Sequence, residues 1–570
     1  MAYRWTFSKP SREETISLLQ EQLNVPAEIA RLLAIRNINT FEQAKTFFRP
    51  ENKDLYDPFL MKDMEAGACR LSAAIRNREK VVIYGDYDVD GTTAVSILYT
   101  FLKRFGLDVE YYIPHRFKEG YGINPDGIEF SIQKGANLIV SVDCGITAIE
   151  EAKYAKEKGI DLIICDHHTV GDTIPDAVAV LDPKRPDCNY PFDGLSGAGV
   201  GFKLVQGTTQ KLGLPADLPE QFLDLVAISI ASDIVPIVDE NRVLMRRGLE
   251  LINTEPRVGI KALLNLIDAK PGSVTTSSIV FSIGPRINAA GRMGDATTAV
   301  ELMIADDAVT ASRFASELEA VNKMRKTADM ETMNQATEML ENEFNIDEMS
   351  AMVLHSPDWH LGVIGIVASR LVDAHYRPAI MLSTVEDKIK GSARSIKGFN
   401  IYDALKECED LLEQFGGHEF AAGLTMSRDN LDEFRLRMNE IAYNTLLNND
   451  FKPELEISGE LDLSRIDMKF WKLLTLFEPF GPGNMRPVFV SHNVCIEGLP
   501  SIVGSGHLKM KVKSENSAVF DAIGFNMHEY EPRLRNCKQD RIDVAYVLEE
   551  NYWNGKRTIQ MRLKDIHVQA

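Results

Sequence analysis

The chain lacks cysteine pairs and long apolar runs, and its basic residues are outnumbered by acidic ones, 63 to 83. Seven cysteines are scattered over 570 residues with no C-x-x-C pair, which argues against a disulfide scaffold and against a structural zinc site. No apolar run approaches the ~18 residues that a membrane span needs. Met1 to Pro10 contains neither an apolar core nor a small-residue cleavage pattern, so no secretory signal is expected. Net charge is −20. That deficit counts against coating nucleic acid by bulk electrostatics, although a local basic groove can still grip a strand. Residues 451–570 sum to about zero charge, so the acidic surplus lies upstream. A soluble, cytosolic protein is therefore expected. Its 45% hydrophobic and 26% charged content is ordinary for globular chains, and its length exceeds one hydrophobic core, so about three domains are expected.

Patterning along the chain supplies the layout. The first 50 or so residues read as short amphipathic helices ending near Pro50. From Lys80, apolar runs at 81–84, 109–113, 138–142, 162–165 and 178–181 alternate with helical stretches at 92–105, 125–134 and 147–158. That alternation predicts a parallel sheet covered by helices. Residues 202–235 read as helical. The charge-rich stretch 308–343 is either a long connecting helix or an ordinary surface helix. A second α/β region begins at 351–354, with helices near 362–372 and 401–415. After Pro453 six runs (454–461, 488–496, 508–512, 519–525, 543–549 and 558–566) predict a small β-barrel, of the oligonucleotide-binding (OB) kind. The expected domains are a helical segment 1–55, an α/β domain 56–255, a helical connector 256–345, a second α/β domain 346–450 and an OB-like domain 451–570.

The chemistry sits where strands end. The first strand runs into Asp86-Tyr87-Asp88-Val89-Asp90-Gly91, the third into Asp143-Cys144-Gly145 and the fourth into Asp166-His167-His168. Ligands of doubly wound sheets bind at the carboxyl ends of strands, so three segments bring five carboxylates and two imidazoles to one edge. Like charges raise one another's pKa and cannot all stay ionised without a cation. Oxygen and imidazole donors without thiolate suit Mn²⁺ or Mg²⁺. Asp233 is the one charge in the apolar run 225–238. It reads as a helix cap, a salt-bridge partner or a metal ligand, and beside the strand-end cluster the ligand reading is the better one. Two neighbouring metals suit hydrolytic attack at phosphorus. Asp182, in Leu181-Asp182-Pro183-Lys184, reads as a turn residue. Cys144 and Cys165 read as small buried hydrophobes, and Gly197-x-Gly199-x-Gly201 reads as close helix packing.

Asp-His-His after a strand, with the Asp-x-Asp-x-Asp loop upstream, resembles the DHH phosphoesterase superfamily. Further motifs narrow the resemblance to its bacterial single-strand-specific exonucleases. They are His115-Arg116-Phe117-x-x-Gly120-Tyr121-Gly122, the run from Gly284 through Arg286 and Asn288 to Arg292, Trp359-His360-x-Gly362, Ser392-Ala393-Arg394 and Gly416-Gly417-His418. The resemblance implies that Asp86 and Asp88 serve one metal, that Asp90, His167 and Asp233 serve the other, and that Asp143 bridges them. It implies that His168 contacts the scissile phosphate and that Asp166 orients the histidines. The second α/β region resembles the companion substrate-binding (DHHA1) domain. There Ser392, Arg394 and His418 would hold the phosphate end, and Arg116, Arg286 and Arg292 would add backbone contacts. Asn288 and His360 are further candidates, His360 having a core-histidine reading as well. One departure is visible: the pyrophosphatase-like members carry a histidine before their first aspartates, where this chain has Tyr84.

The resemblance implies a two-metal, Mn²⁺- or Mg²⁺-dependent exonuclease. It would release 5′-mononucleotides from the 5′ end of single-stranded DNA in repair and recombination, with a single-strand-binding protein and a helicase as partners by association. The rival is a phosphoesterase for short oligonucleotides, cyclic dinucleotides or pyrophosphate, which would not need the barrel. In the barrel, Arg486, Lys509, Lys511, Lys513, Lys556 and Arg557 are candidates to follow a phosphate backbone, and Phe489, Phe525 and Trp553 to stack on bases or to fill the core. No role for the loop 477–483 follows from its composition.

Overall fold

The computed structural model describes residues 3–10, 12–342, 344, 346–447, 451–536, 541–553 and 555–568. They form two compact units, Asp57–Asp233 with Arg247–Lys452, and Met1–Tyr56 with Ile234–Arg246 and Pro453–Ala570.

The larger unit opens on a five-stranded, wholly parallel sheet. Its spatial order is Val109–Tyr112, Val81–Gly85, Leu138–Val142, Asp161–Cys165, Ala179–Leu181. Every residue of Val81–Gly85 and Leu138–Val142 is buried, as a sheet covered on both faces requires. Numbered along the chain the order is 2-1-3-4-5, so the direction of winding reverses between Val81–Gly85 and Leu138–Val142. The crevice at that switch point is where such sheets bind ligands, and the loops carrying Asp86 and Asp143 flank it. The stretch read as continuously helical from 202 breaks instead into Gly197–Lys211, a 3₁₀ turn Leu218–Phe222 and Leu223–Ser232. Gly213, at φ +65°, and Pro215 lie in the first break.

Residues Ala308–Asn342 form a single helix. Its buried positions Ala311, Ala315, Leu318, Asn322, Arg325, Asp329, Thr332, Ala336 and Leu340 recur at three- and four-residue steps, a seam along one face. The N-terminal half packs on helices Val258–Leu266, Gly284–Met293 and Thr297–Ile304. Ala336 and Leu340 join the core under the second sheet. The helix therefore joins two lobes of this unit and carries polar side chains at its middle.

That second sheet runs Leu412–His418, Ala421–Ser427, Lys388–Arg394, Ala379–Val385, Met352–His355, with only the last pair parallel. The helix expected over 401–415 stops at Lys406, and Leu412–His418 is an edge strand. A bulge between Leu412 and Gln414 disturbs the strand's two-residue alternation, which lent the segment a helical look.

In the smaller unit, strands Phe489–Ile496, His507–Lys513, Phe520–Gly524, Lys556–Val568 and Ile542–Trp553 pair in a closed ring, the OB arrangement. The expected first barrel strand, 454–461, is split: Glu454–Ile457 pairs in parallel with Arg4–Phe7 outside the ring, while Gly459–Glu460 pairs in parallel with the barrel strand Phe489–Ile496. Trp5 stacks on His567 at 3.7 Å and donates its indole N–H to buried Asp565 at 2.9 Å. The N-terminal segment thus contributes a strand as well as helices. Phe489 is buried in the barrel core and is no stacking platform, whereas Phe525 is half exposed beside His507 and Arg562. As side chains, Trp553 and Lys556 lie outside the described residues. The loop 477–483 has a structural role. Buried Arg242 stacks on Phe47 at 3.7 Å and donates to the carbonyls of Leu476, Phe477 and Glu478.

Candidate metal centre and phosphate cleft

Each expected strand-end residue reaches one site. Asp88 caps helix Val89–Lys103 by accepting the Gly91 amide at 3.1 Å. A Cβ on Gly91 would lie 2.4 Å from the Asp86 carbonyl, so only glycine lets the loop fold this tightly. Asp143 follows its strand with φ +62°, a conformation that aspartate tolerates better than most residues. Asp233 ends helix Leu223–Ser232, where the macrodipole favours a cation over a carboxylate. A bound cation would reverse that unfavourable placement.

His167 Nε2 lies 3.1 Å from Asp143, 3.6 Å from Asp90 and 3.6 Å from Asp233. Both of its ring nitrogens, and one oxygen of Asp86, are buried without a hydrogen-bond partner. Orphaned donors and acceptors of this kind are costly in a protein interior. Burial lowers the His167 pKa, leaving a neutral imidazole. Burial and neighbouring carboxylates push Asp86, Asp88 and Asp143 above the usual carboxylate range, and Asp233 up to about 8. Three sets of donors lie close enough to share an ion: Asp86, Asp88 and Asp143; Asp90, His167 and Asp233; Asp143, His167 and His168. The residues fit divalent cations.

Asp90 is more constrained than its motif suggests. It accepts the amides of Gly197 and Ala198 at 2.6 and 2.7 Å and the Ser229 hydroxyl at 2.7 Å. Of the roughly four acceptor positions of a carboxylate, about one is left for a metal. Gly197 therefore does more than pack. A Cβ there would sit 2.6 Å from that of Asp143, while its neighbours Gly199 and Gly201 meet only ordinary or slightly tight contacts.

Asp166 accepts His168 Nδ1 at 2.7 Å and the amides of Ile146, His167 and His168. Burial opposes the charged imidazole, but the Asp166 hydrogen bond and charge outweigh it and hold His168 up at about 9. Asp166 orients the His168 ring and touches only the main chain of His167. Asp182 accepts the Lys184 amide, as a turn residue does, and Cys144 and Cys165 are buried. Tyr84 turns into the core, its hydroxyl donating to the Gly122 carbonyl, so it supplies no ligand.

A cavity of about 940 Å³ connects this centre with the second lobe. Arg116, Arg292, Ser392, Arg394 and His418 line it. Among the described residues no carboxylate lies within ion-pair distance of Arg116, Arg292 or Arg394. Arg116 lies over Tyr87, Arg292 donates to the Gly362 carbonyl, and Arg394 donates to Ser392 and the Ala393 carbonyl. Burial, then repulsion from Arg116 and Arg394, lowers Arg292 to about 10, still charged at neutral pH. Asn288 also lines the cavity and accepts the Val89 amide. One expectation is corrected. Arg286 pairs with Glu319 at 2.7 Å and does not line the cavity, because the helix turns it toward Ala308–Asn342. His360 caps helix Leu361–His375 by accepting the Gly362 amide.

The structure adds one residue to the site. The Tyr121 hydroxyl lies 3.0 Å from His168 Nδ1 and 3.2 Å from the Asp143 carbonyl oxygen. Its motif was visible, but nothing in the spacing placed a loop phenol against a histidine 47 residues away.

Matches to family models define the class: the DHH family N-terminal domain over residues 80–230, the DHHA1 domain over 348–444 and the RecJ OB domain over 457–565. The single-stranded-DNA-specific exonuclease RecJ of Bacillus subtilis is 39% identical over 99% of this chain and 71% of its own length. RecJ of Thermus thermophilus in complex with Mn²⁺ superposes with a TM-score of 0.84 at 29% identity, over 99% of this chain and 79% of that one. The Mg²⁺ complex from the same organism gives 0.78 at 27%, over 99% and 78%. This chain belongs to the RecJ family of single-stranded-DNA-specific exonucleases.

Proposed function

We propose that this chain is a cytoplasmic, divalent-metal-dependent exonuclease. It removes 5′-mononucleotides from the 5′ end of single-stranded DNA in repair and recombination, alongside a single-strand-binding protein and a helicase. The observation that carries this reading is one cavity with an acidic, imidazole-containing cluster on one wall and, near it, Arg116, Arg292 and Arg394, which have no carboxylate within ion-pair distance among the described residues. A phosphodiester anion satisfies both walls when cations occupy the cluster.

In this reading Asp86 and Asp88 would hold one ion, and His167, Asp233 and the remaining acceptor position of Asp90 would hold a second, with Asp143 within reach of both groups. Bound Mn²⁺ or Mg²⁺ would supply Lewis-acid stabilisation of charge developing on the phosphate oxygens. His168, kept protonated through Asp166, presents its other ring nitrogen as a donor to the scissile phosphate. Arg394, Ser392 and His418 hold the phosphate at the strand's 5′ end, and Arg116 and Arg292 hold the next ones, guanidinium forks matching phosphate oxygens. The domain boundaries 56–255, 256–345 and 346–450 assign chemistry to the first lobe and grip to the third segment.

The test uses single-stranded oligonucleotides labelled at the 5′ or the 3′ end, with and without a complement, in Mn²⁺ or Mg²⁺. Immediate release of the 5′ label as mononucleotide, a shrinking ladder from the 3′ label and little cutting of blunt duplex support the reading. Hydrolysis confined to dinucleotides or pyrophosphate contradicts it.

A further inference from the structure

Phe281 is the most exposed aromatic side chain among the described residues, with 78% of its surface open. It stands in a π-helical turn, Ile279–Ile283, that leads directly into helix Gly284–Met293. Single π-turns are rare and concentrate at functional sites. Arg286 braces this one: it donates to the Ser282 carbonyl at 2.7 Å while paired with Glu319. The arginine that leaves the phosphate cleft thus stabilises an irregular turn with a bare phenyl ring on it.

The turn is fixed to the catalytic centre. It packs on helix Leu223–Ser232, the helix that ends in Asp233. Gly284 sits so close to cavity-lining Ser232 that a Cβ would come within 2.8 Å of the hydroxyl. Positions 288 and 292 lie four residues apart in helix Gly284–Met293 and share one of its faces. The wider π-turn before Gly284 shifts that phase, so Phe281 is located by its closeness to Gly284 and Ser232. Asn288 and Arg292 on that face line the cavity. Phe281 stands three residues before Gly284, at the end of this helix that meets Ser232. Exposure of a phenyl ring forgoes the stabilisation its burial would give, and among the described residues of this unit little covers it.

We propose that Phe281 is a base-stacking platform for the substrate strand outside the metal centre, gripping a nucleotide that the catalytic residues do not reach. The inference rests on the single-strand reading above. Aromatic faces bind successive bases of any sequence, so such a platform would add affinity for long strands and leave short ones unaffected.

The experiment compares wild type, Phe281→Ala and Phe281→Trp for binding of an oligo(dT) of about 20 nucleotides in EDTA, and for hydrolysis of the dinucleotide pTpT in Mn²⁺. Phe281→Ala is expected to weaken oligo(dT) binding about tenfold with pTpT hydrolysis unchanged. Phe281→Trp should bind like wild type and show fluorescence quenching beyond that of the other tryptophans. Equal oligo(dT) affinity of wild type and Phe281→Ala overturns this inference alone. A wild-type protein that neither binds nor cuts oligo(dT) overturns the proposed function and this inference with it.

Discussion

The Asp90 carboxylate accepts the Gly197 amide at 2.6 Å, across 107 residues of chain. This bond ties the aspartate loop of the first strand to a helix N-terminus, and the same glycine leaves room for Asp143. Gly197→Ala should therefore displace Asp143 and lower kcat by about a hundredfold or more, with single-strand binding retained. Steady-state kinetics beside a binding assay checks this. Full activity would show that Asp143 has room the structure does not give it.

Tyr121→Phe removes one hydroxyl facing His168 and the Asp143 carbonyl. The loss of about 1 kcal/mol expected for one hydrogen bond corresponds to about a five- to tenfold drop in kcat. KM should change little, since the phenyl ring remains.

The electrostatics give a pH dependence with a definite sign. Without metal, Asp86, Asp88, Asp143 and Asp233 hold protons above the ordinary carboxylate range, Asp233 up to about 8. The folded state then binds more protons than the unfolded state, so metal-free stability falls as pH rises from about 4 to 8. His168, raised to about 9, adds stability that is full below about 6.5 and lost as pH passes 9, the same direction. Metal binding must expel the carboxyl protons. Thermal melts should show Tm in EDTA falling between about pH 6 and 8.5, and a Mn²⁺-induced rise that is larger at the higher pH. A rise independent of pH would contradict the protonated cluster.

Arg242→Ala should destabilise the barrel unit by about 3 kcal/mol or more, because it strands several buried carbonyls and uncovers Phe47. Urea unfolding followed through Trp5 and Trp471 measures it. A change of about 0.5 kcal/mol or less, the size of an ordinary surface substitution, would mean that water replaces the guanidinium freely.

How far the sequence could be read follows from where the determinants lie. Strand-end aspartates and the Asp-His-His run are local, and a parallel sheet converts local strand ends into one edge, so the metal centre was legible from motifs alone. Contacts set by tertiary packing were not. Arg286 stands in a strong motif, yet helical phase turns it to Glu319. Residues 412–418 pair as an edge strand because Ala421–Ser427 lies beside them, and a bulge hid the alternation. The partner of Glu454–Ile457 is a strand near the N-terminus, which no pattern within 451–570 discloses.

In the proposed centre Asp143 joins two cation sites whose occupation drives hydrolysis. Mn²⁺ binding to metal-free wild type and to Asp143→Asn, measured by calorimetry and electron paramagnetic resonance beside single-strand hydrolysis, tests it most directly. Two ions per wild-type chain with magnetically coupled signals are expected. Asp143→Asn should lose the coupling and lower hydrolysis by about a thousandfold or more, with oligonucleotide binding retained. Near-wild-type hydrolysis by Asp143→Asn, or full wild-type activity in EDTA, would contradict it.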